Sequence, residues 1–188
     1  MLRKKGSYSE TSRSQGYSVD DPRLARRMYF ILLVIGLLMM AYYYPQMPRR
    51  MASHFAADGR ANGWQSREGF FLLSLLVAST SALVAFFAPK RIASQPNNRI
   101  NLPNRDYWLA PERRPETMDF IAAMMGWFGC GVLFVLMAGT YLAMRANLAP
   151  KGGFDSQSML IAVSLFLSGL FIWLICFIRH FRRIPPRP

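Results

Sequence analysis

The chain has 188 residues, 52% of them hydrophobic, with 23 Lys and Arg against 10 Asp and Glu and a formal net charge of +13. Length and totals leave a soluble domain open, and in a soluble chain so basic a balance would point to nucleic acid. The distribution excludes that: the apolar residues form four uninterrupted blocks instead of recurring at helical or strand period, and no base-reading motif accompanies the charge.

Residues 1–27 are a basic tail, and its stretch from Met1 to Asp21, rich in Ser, Tyr and basic side chains, reads as disordered. The first apolar block, Met28–Tyr44, follows. A long polar tail ahead of it, an apolar stretch longer than an h-region and the lack of an A-x-A-like site mark it as a signal anchor. Tyr42, Tyr43 and Tyr44 at its far end suit a membrane interface, where amphipathic rings prefer to sit.

The other blocks are Phe70–Ala88, Phe120–Met144 and Met159–Ile178, so the four contain 17, 19, 25 and 20 residues. About 20 apolar residues cross a hydrocarbon core. Backbone polar groups there must be satisfied within the segment, so each block is expected to be an α-helix. None of the four contains Asp, Glu, Lys, Arg or His. The expected fold is an all-α membrane domain over residues 28–178, closed by a basic tail at 179–188.

Sidedness follows from Lys and Arg in the connections. The two tails and the 89–119 loop hold seventeen, and the two remaining loops hold six. Positive charge stays inside, so both termini and the 89–119 loop are expected in the cytoplasm of a bacterial-type inner membrane. Ser66 is the expected cap of helix two, and Asp155 or Ser156 that of helix four. Pro115 with Glu116 suits the first turn of helix three. Small residues (Gly126, Gly129, Gly131 and Gly139 in span three, Ala78 to Ser81 in span two) suit close helix packing, within the chain or between copies in a homo-oligomer.

Residues 45–69 form the loop expected outside. Asp58-Gly59 and Asn62-Gly63 are both turn dipeptides, which predicts a compact loop with two turns. His54, Phe55 and Trp64 bracket them, so His54, Phe55, Asp58, Asn62 and Trp64 are the binding candidates on this side. His54 either fixes the loop by hydrogen bonding or contacts a ligand or senses pH. With Asp58 and Glu68 as the only acidic neighbours and no second His or Cys, a metal site is not expected. Cys130 and Cys176 lie inside apolar blocks at no ligand spacing, and no cofactor motif is found.

The segment Pro45–Phe71, with its Pro-x-x-Pro start, Ser53-His54-Phe55 step and Asp58-Gly59…Asn62-Gly63-Trp64 core, resembles a domain of unknown function found in SdpI-like bacterial membrane proteins. The founding member gives immunity to a secreted toxin, has more spans than the four here, and has a C-terminal portion without a counterpart in this chain. The resemblance implies a membrane location and no catalytic residues.

The loop expected inside carries Ile100–Arg114, INLPNRDYWLAPERR, which is similar to runs in short bacterial proteins with the same external segment. Pro103 and Pro111 restrict helix there to a turn or two. Asn104, Arg105, Tyr107, Trp108, Arg113 and Arg114 are the contact candidates. They suit either anchoring to anionic headgroups or docking of a membrane or cytoplasmic protein partner. No G-x-S-x-G, HExxH, P-loop or Rossmann fingerprint is present, so no enzyme is expected. A binding, sensing, immunity or accessory-subunit protein is the favoured class; a small oligomeric transporter or channel component is the alternative, weakened by spans without ionisable residues.

Overall fold

A computed structural model describes residues 19–149 and 153–184. It is mostly helical, and four helices are long and apolar enough to cross a membrane: α1 (Pro22–Tyr43), α2 (Arg67–Ala93), α4 (Arg114–Leu148) and α5 (Ser156–Arg182). A single-turn helix, α3 (Arg105–Trp108), lies between α2 and α4. A two-stranded antiparallel hairpin, β1 (Arg50–Phe55) and β2 (Ala61–Ser66), joins α1 to α2.

Each long helix extends past the apolar block that predicts it, because polar caps continue the backbone bonding. The tail expected through Arg27 is helical from Pro22: Asp21 accepts from the Arg23 amide at 2.8 Å, and Pro22 occupies the first turn, where its missing N–H costs nothing. The rest of that tail, residues 1–18, lies outside the described residues, as do 185–188 of the basic end. Ser66 caps α2 by accepting from Gly69 N at 3.0 Å. Asp155, rather than Ser156, caps α5 by accepting from Ser158 N at 2.9 Å. That carboxyl is held below its ordinary value of 3.8, first by the Ser158 hydroxyl and then by the Ser158 amide. Helix α2 continues through Pro89 for another turn and ends on a Ser94 cap.

Helix α4 is the hub. It packs on α1, α2 and α5, and it is the most buried of the four, α5 the least. Its glycines make the contacts close. A side chain at Gly126 would meet Ala25 Cβ of α1 at 2.8 Å, and one at Gly129 would meet Ala85 Cβ of α2 at 2.5 Å. One at Gly131 would reach the Phe166 ring of α5 at 3.2 Å. In lipid such approach substitutes dispersion contact for the absent hydrophobic drive between helices. Between α1 and α2 the contact adds polar bonds to aromatic packing: the Tyr29 hydroxyl lies 2.7 Å from Ser81 Oγ and donates to Ala78 O at 3.1 Å, while the Tyr29 and Phe30 rings meet Phe86.

The 45–69 loop departs from the two-turn expectation. Its one turn is at Ala56–Arg60, where Gly59 takes φ +82°, Ala56 N donates to Arg60 O, and Asp58 accepts from Arg60 N. Asn62-Gly63 belongs to β2 instead, and Gly63 has no positive φ. Gly63 sits opposite His54 at a register irregularity, and a Cβ on it would come within 2.9 Å of the His54 ring. The glycine is there to admit the imidazole, not to turn the chain.

Candidate functional site

Two clusters form, one at each end of the helices. At the hairpin end, β1 is held on both edges. β2 pairs with one, and Asn147 of α4 pairs with the other: Ala52 N–H donates to Asn147 Oδ1 at 2.8 Å, and Asn147 Nδ2 donates to Ala52 O at 2.9 Å. A strand edge otherwise left with unpaired backbone groups is thus closed by one side chain. The hairpin tip is docked on the segment before α5, where Phe154 N donates to Gly59 O at 2.9 Å and the Phe55 and Phe154 rings stack with centroids 4.8 Å apart.

Beneath this hairpin, between it and α2, α4 and α5, lies a cavity of about 630 Å³. His54 and Phe55 line one wall, while Ser74, Thr140 and Met159 contribute from the helices. His54 is exposed and its imidazole makes no hydrogen bond among the described residues; the ring rests over bare Gly63. The other three candidates of this loop stand apart from the cavity. Asp58 serves the turn and forms an exposed ion pair with Arg60 at 3.5 Å. Asn62 is exposed on β2. Trp64 is half exposed, with the Arg50 guanidinium 5.8 Å from its ring. His54, Phe55 and Trp64 therefore do not pack on one another.

At the opposite end, the contact candidates of the second loop turn inward. Asn104 adopts a left-handed backbone (φ 52°), which asparagine tolerates better than most residues. From there its side-chain amide donates to Phe181 O at 2.9 Å and Arg182 O at 3.2 Å, at the end of α5. Trp108 Nε1 donates to Phe181 O at 3.0 Å, while its ring stacks on His180 with centroids 4.7 Å apart. His180 in turn stacks on Phe120 at 3.7 Å. Arg114 donates to Asn97 Oδ1 at 3.0 Å and to Ala93 O and Gln95 O at 2.9 and 2.8 Å. The bond to Ala93 O satisfies a carbonyl that the end of α2 leaves without a partner, and the other two tie down the turn that follows. Arg113 covers the Tyr107 ring at 3.9 Å and donates to Tyr107 O, so both are committed within the loop. Arg105 alone of the six is spent on an exposed neighbour, Asp106 at 3.2 Å.

Between α4 and α5 at this same end runs a second, larger cavity of about 1060 Å³. Nothing in the sequence signals it, because facing apolar blocks have the same composition whether they touch or stand apart. No group of three or more His, Cys, Asp or Glu side chains able to hold a metal occurs among the described residues.

Comparison with known proteins found no match among curated proteins and none among solved structures. The segment Pro45–Phe71 lies wholly inside one family match, which runs from the second half of α1 through the hairpin into the first half of α2. Over residues 31–78 the chain matches a domain of unknown function, DUF1648.

Proposed function

We propose that this chain is a non-enzymatic binding protein of a bacterial inner membrane, of the sensing, immunity or accessory-subunit kind. The hairpin faces outward, and both termini and the 89–119 loop face the cytoplasm. Seventeen Lys and Arg on the inner side against six on the outer support that sidedness. The single observation that carries the binding role is the cavity under the hairpin, about 630 Å³, walled by His54 and Phe55 and floored by apolar helix surface. Ligand sites are concave, mostly apolar and carry few polar groups, and this one offers the imidazole of His54 and the hydroxyls of Ser74 and Thr140. No cofactor is required for such a role.

The test is photocrosslinking in intact cells. Benzoylphenylalanine replacing His54 is irradiated with and without Thr140→Phe, which fills the cavity floor. A defined adduct that Thr140→Phe abolishes supports the reading. Adducts with bulk lipid alone, unchanged by Thr140→Phe, overturn it.

A further inference from the structure

The cavity between α4 and α5 lies outside the matched domain and away from the hairpin. We propose that it is a binding site for one anionic phospholipid, with an acyl chain in the cleft and the phosphate against Arg179 and Arg183. The inference is independent of the hairpin site.

The shape comes first. On α4 the lining runs from Phe120 to Phe134, fourteen helical steps and so about 21 Å at 1.5 Å per residue, a length suited to an acyl chain. Three of the four tryptophans, Trp108, Trp127 and Trp173, line it. Their indole N–H groups are already used, on Phe181 O, Val19 O and Met124 O, so the walls present no indole donor that lacks a partner. The interior is therefore suited to hydrocarbon rather than to water.

Gly169 is the second observation. Two α4 glycines face α5, Gly131 against Phe166 and Gly139 against Met159, as packing glycines should, but a Cβ on Gly169 of α5 would meet nothing within 4 Å. Gly169 nevertheless lines the cleft. The space where its side chain would stand is open, which widens the groove.

Charge then selects the occupant. Arg179 and Arg183, one helical turn apart at the end of α5, both border the cavity, and neither has an ion pair among the described residues. His180 is committed to its stack between Trp108 and Phe120, and Asp20 also borders the cleft, which leaves the mouth net positive. An apolar slot ending in two guanidiniums matches an acyl chain ending in a phosphate, which guanidinium binds in bidentate fashion. A zwitterionic lipid carries the same phosphate but adds an ammonium, which would sit unfavourably beside two guanidiniums.

The experiment is native mass spectrometry of the full chain with phosphatidylglycerol and phosphatidylcholine of identical acyl chains. The expected result is retention of one phosphatidylglycerol in preference to phosphatidylcholine. Arg179→Gln with Arg183→Gln should abolish the preference, by roughly fivefold per arginine and about thirtyfold for both, given the usual attraction of a surface arginine to anionic lipid. Gly169→Leu, which meets no protein atom at its Cβ, should release lipid of either kind. Quenching of tryptophan fluorescence by chain-brominated phosphatidylglycerol, reduced in Gly169→Leu, gives a second readout. Equal retention of both lipids, or retention that Gly169→Leu leaves unchanged, overturns the proposal. So does a Gly169→Leu variant that loses a dimer instead of a lipid, since the cleft would then seat a second copy.

Discussion

Asn147 and Ala52, ninety-five positions apart, exchange two hydrogen bonds, and with them α4 takes the place of a third strand beside the hairpin. Asn147 Nδ2 also donates to Ala143 O at 2.8 Å, so its amide is locked to its own helix as well. The hairpin is thereby referenced to the most buried helix of the bundle. A two-stranded hairpin alone is marginal in water, and this side chain supplies a partner that a third strand would otherwise give.

Replacing Asn147 with Ala should therefore loosen the hairpin while leaving the helices in place. Two buried backbone groups lose their partners, at a cost of about 1–3 kcal/mol. Hydrogen exchange at the Ala52 amide and proteolysis in the 56–60 turn should both accelerate, with helical content unchanged. Unaltered exchange at Ala52 would show that β2 alone holds the hairpin.

Gly129 should tolerate no side chain. Even Ala there places a Cβ about 2.5 Å from Ala85 Cβ, and the contact lies on backbone-proximal carbon that cannot swing away. Overpacking of this kind costs about 1–3 kcal/mol. Gly169→Ala, with nothing within 4 Å of its Cβ, should be neutral or slightly stabilising, because alanine is the better helix former. Melting curves of the two variants in detergent separate the cases; equal melting temperatures would refute the close α2–α4 crossing.

Arg114 and Arg105 lie nine positions apart in one basic loop, yet they should behave differently. Arg114→Gln strips the carbonyls of Ala93 and Gln95 of their donor, so exchange at the Ser94 and Gln95 amides should rise. Arg105→Gln breaks only a pair with exposed Asp106 and should be silent, as surface pairs contribute little. A silent Arg114→Gln would return that residue to the surface as a lipid or partner contact.

The helices were legible because a membrane span needs only length and unbroken apolarity, and their caps were legible because capping is local chemistry at Ser66 and Asp155. The hairpin was not. Asn62-Gly63 carries a turn signature, but its glycine answers to the His54 ring across the ladder, a contact that sequence spacing does not encode. The loop candidates Asn104, Trp108 and Arg114 have the composition of interface anchors, and the same donors serve equally well to close helix ends, 77 and 73 positions away in the case of α5. Of the hairpin candidates, the cavity gathers His54 and Phe55 and omits Asp58, Asn62 and Trp64. Phe154, Thr140 and Met159, from the far half of the chain, complete the cavity, and no pattern local to residues 45–71 could have named them.

The proposed binding role rests on the cavity beneath the hairpin, and a single cysteine tests both that cavity and its proposed outward side. Thr140→Cys, in a chain with Cys130 and Cys176 replaced by Ala, puts a thiol on the cavity floor. Intact cells are treated with a membrane-impermeant maleimide, with Gly139→Phe added in a parallel strain to fill the space. Thr140→Cys should be labelled from outside, and Gly139→Phe should suppress that labelling. Labelling only after the membrane is permeabilised, or none under either condition, would contradict the proposed role.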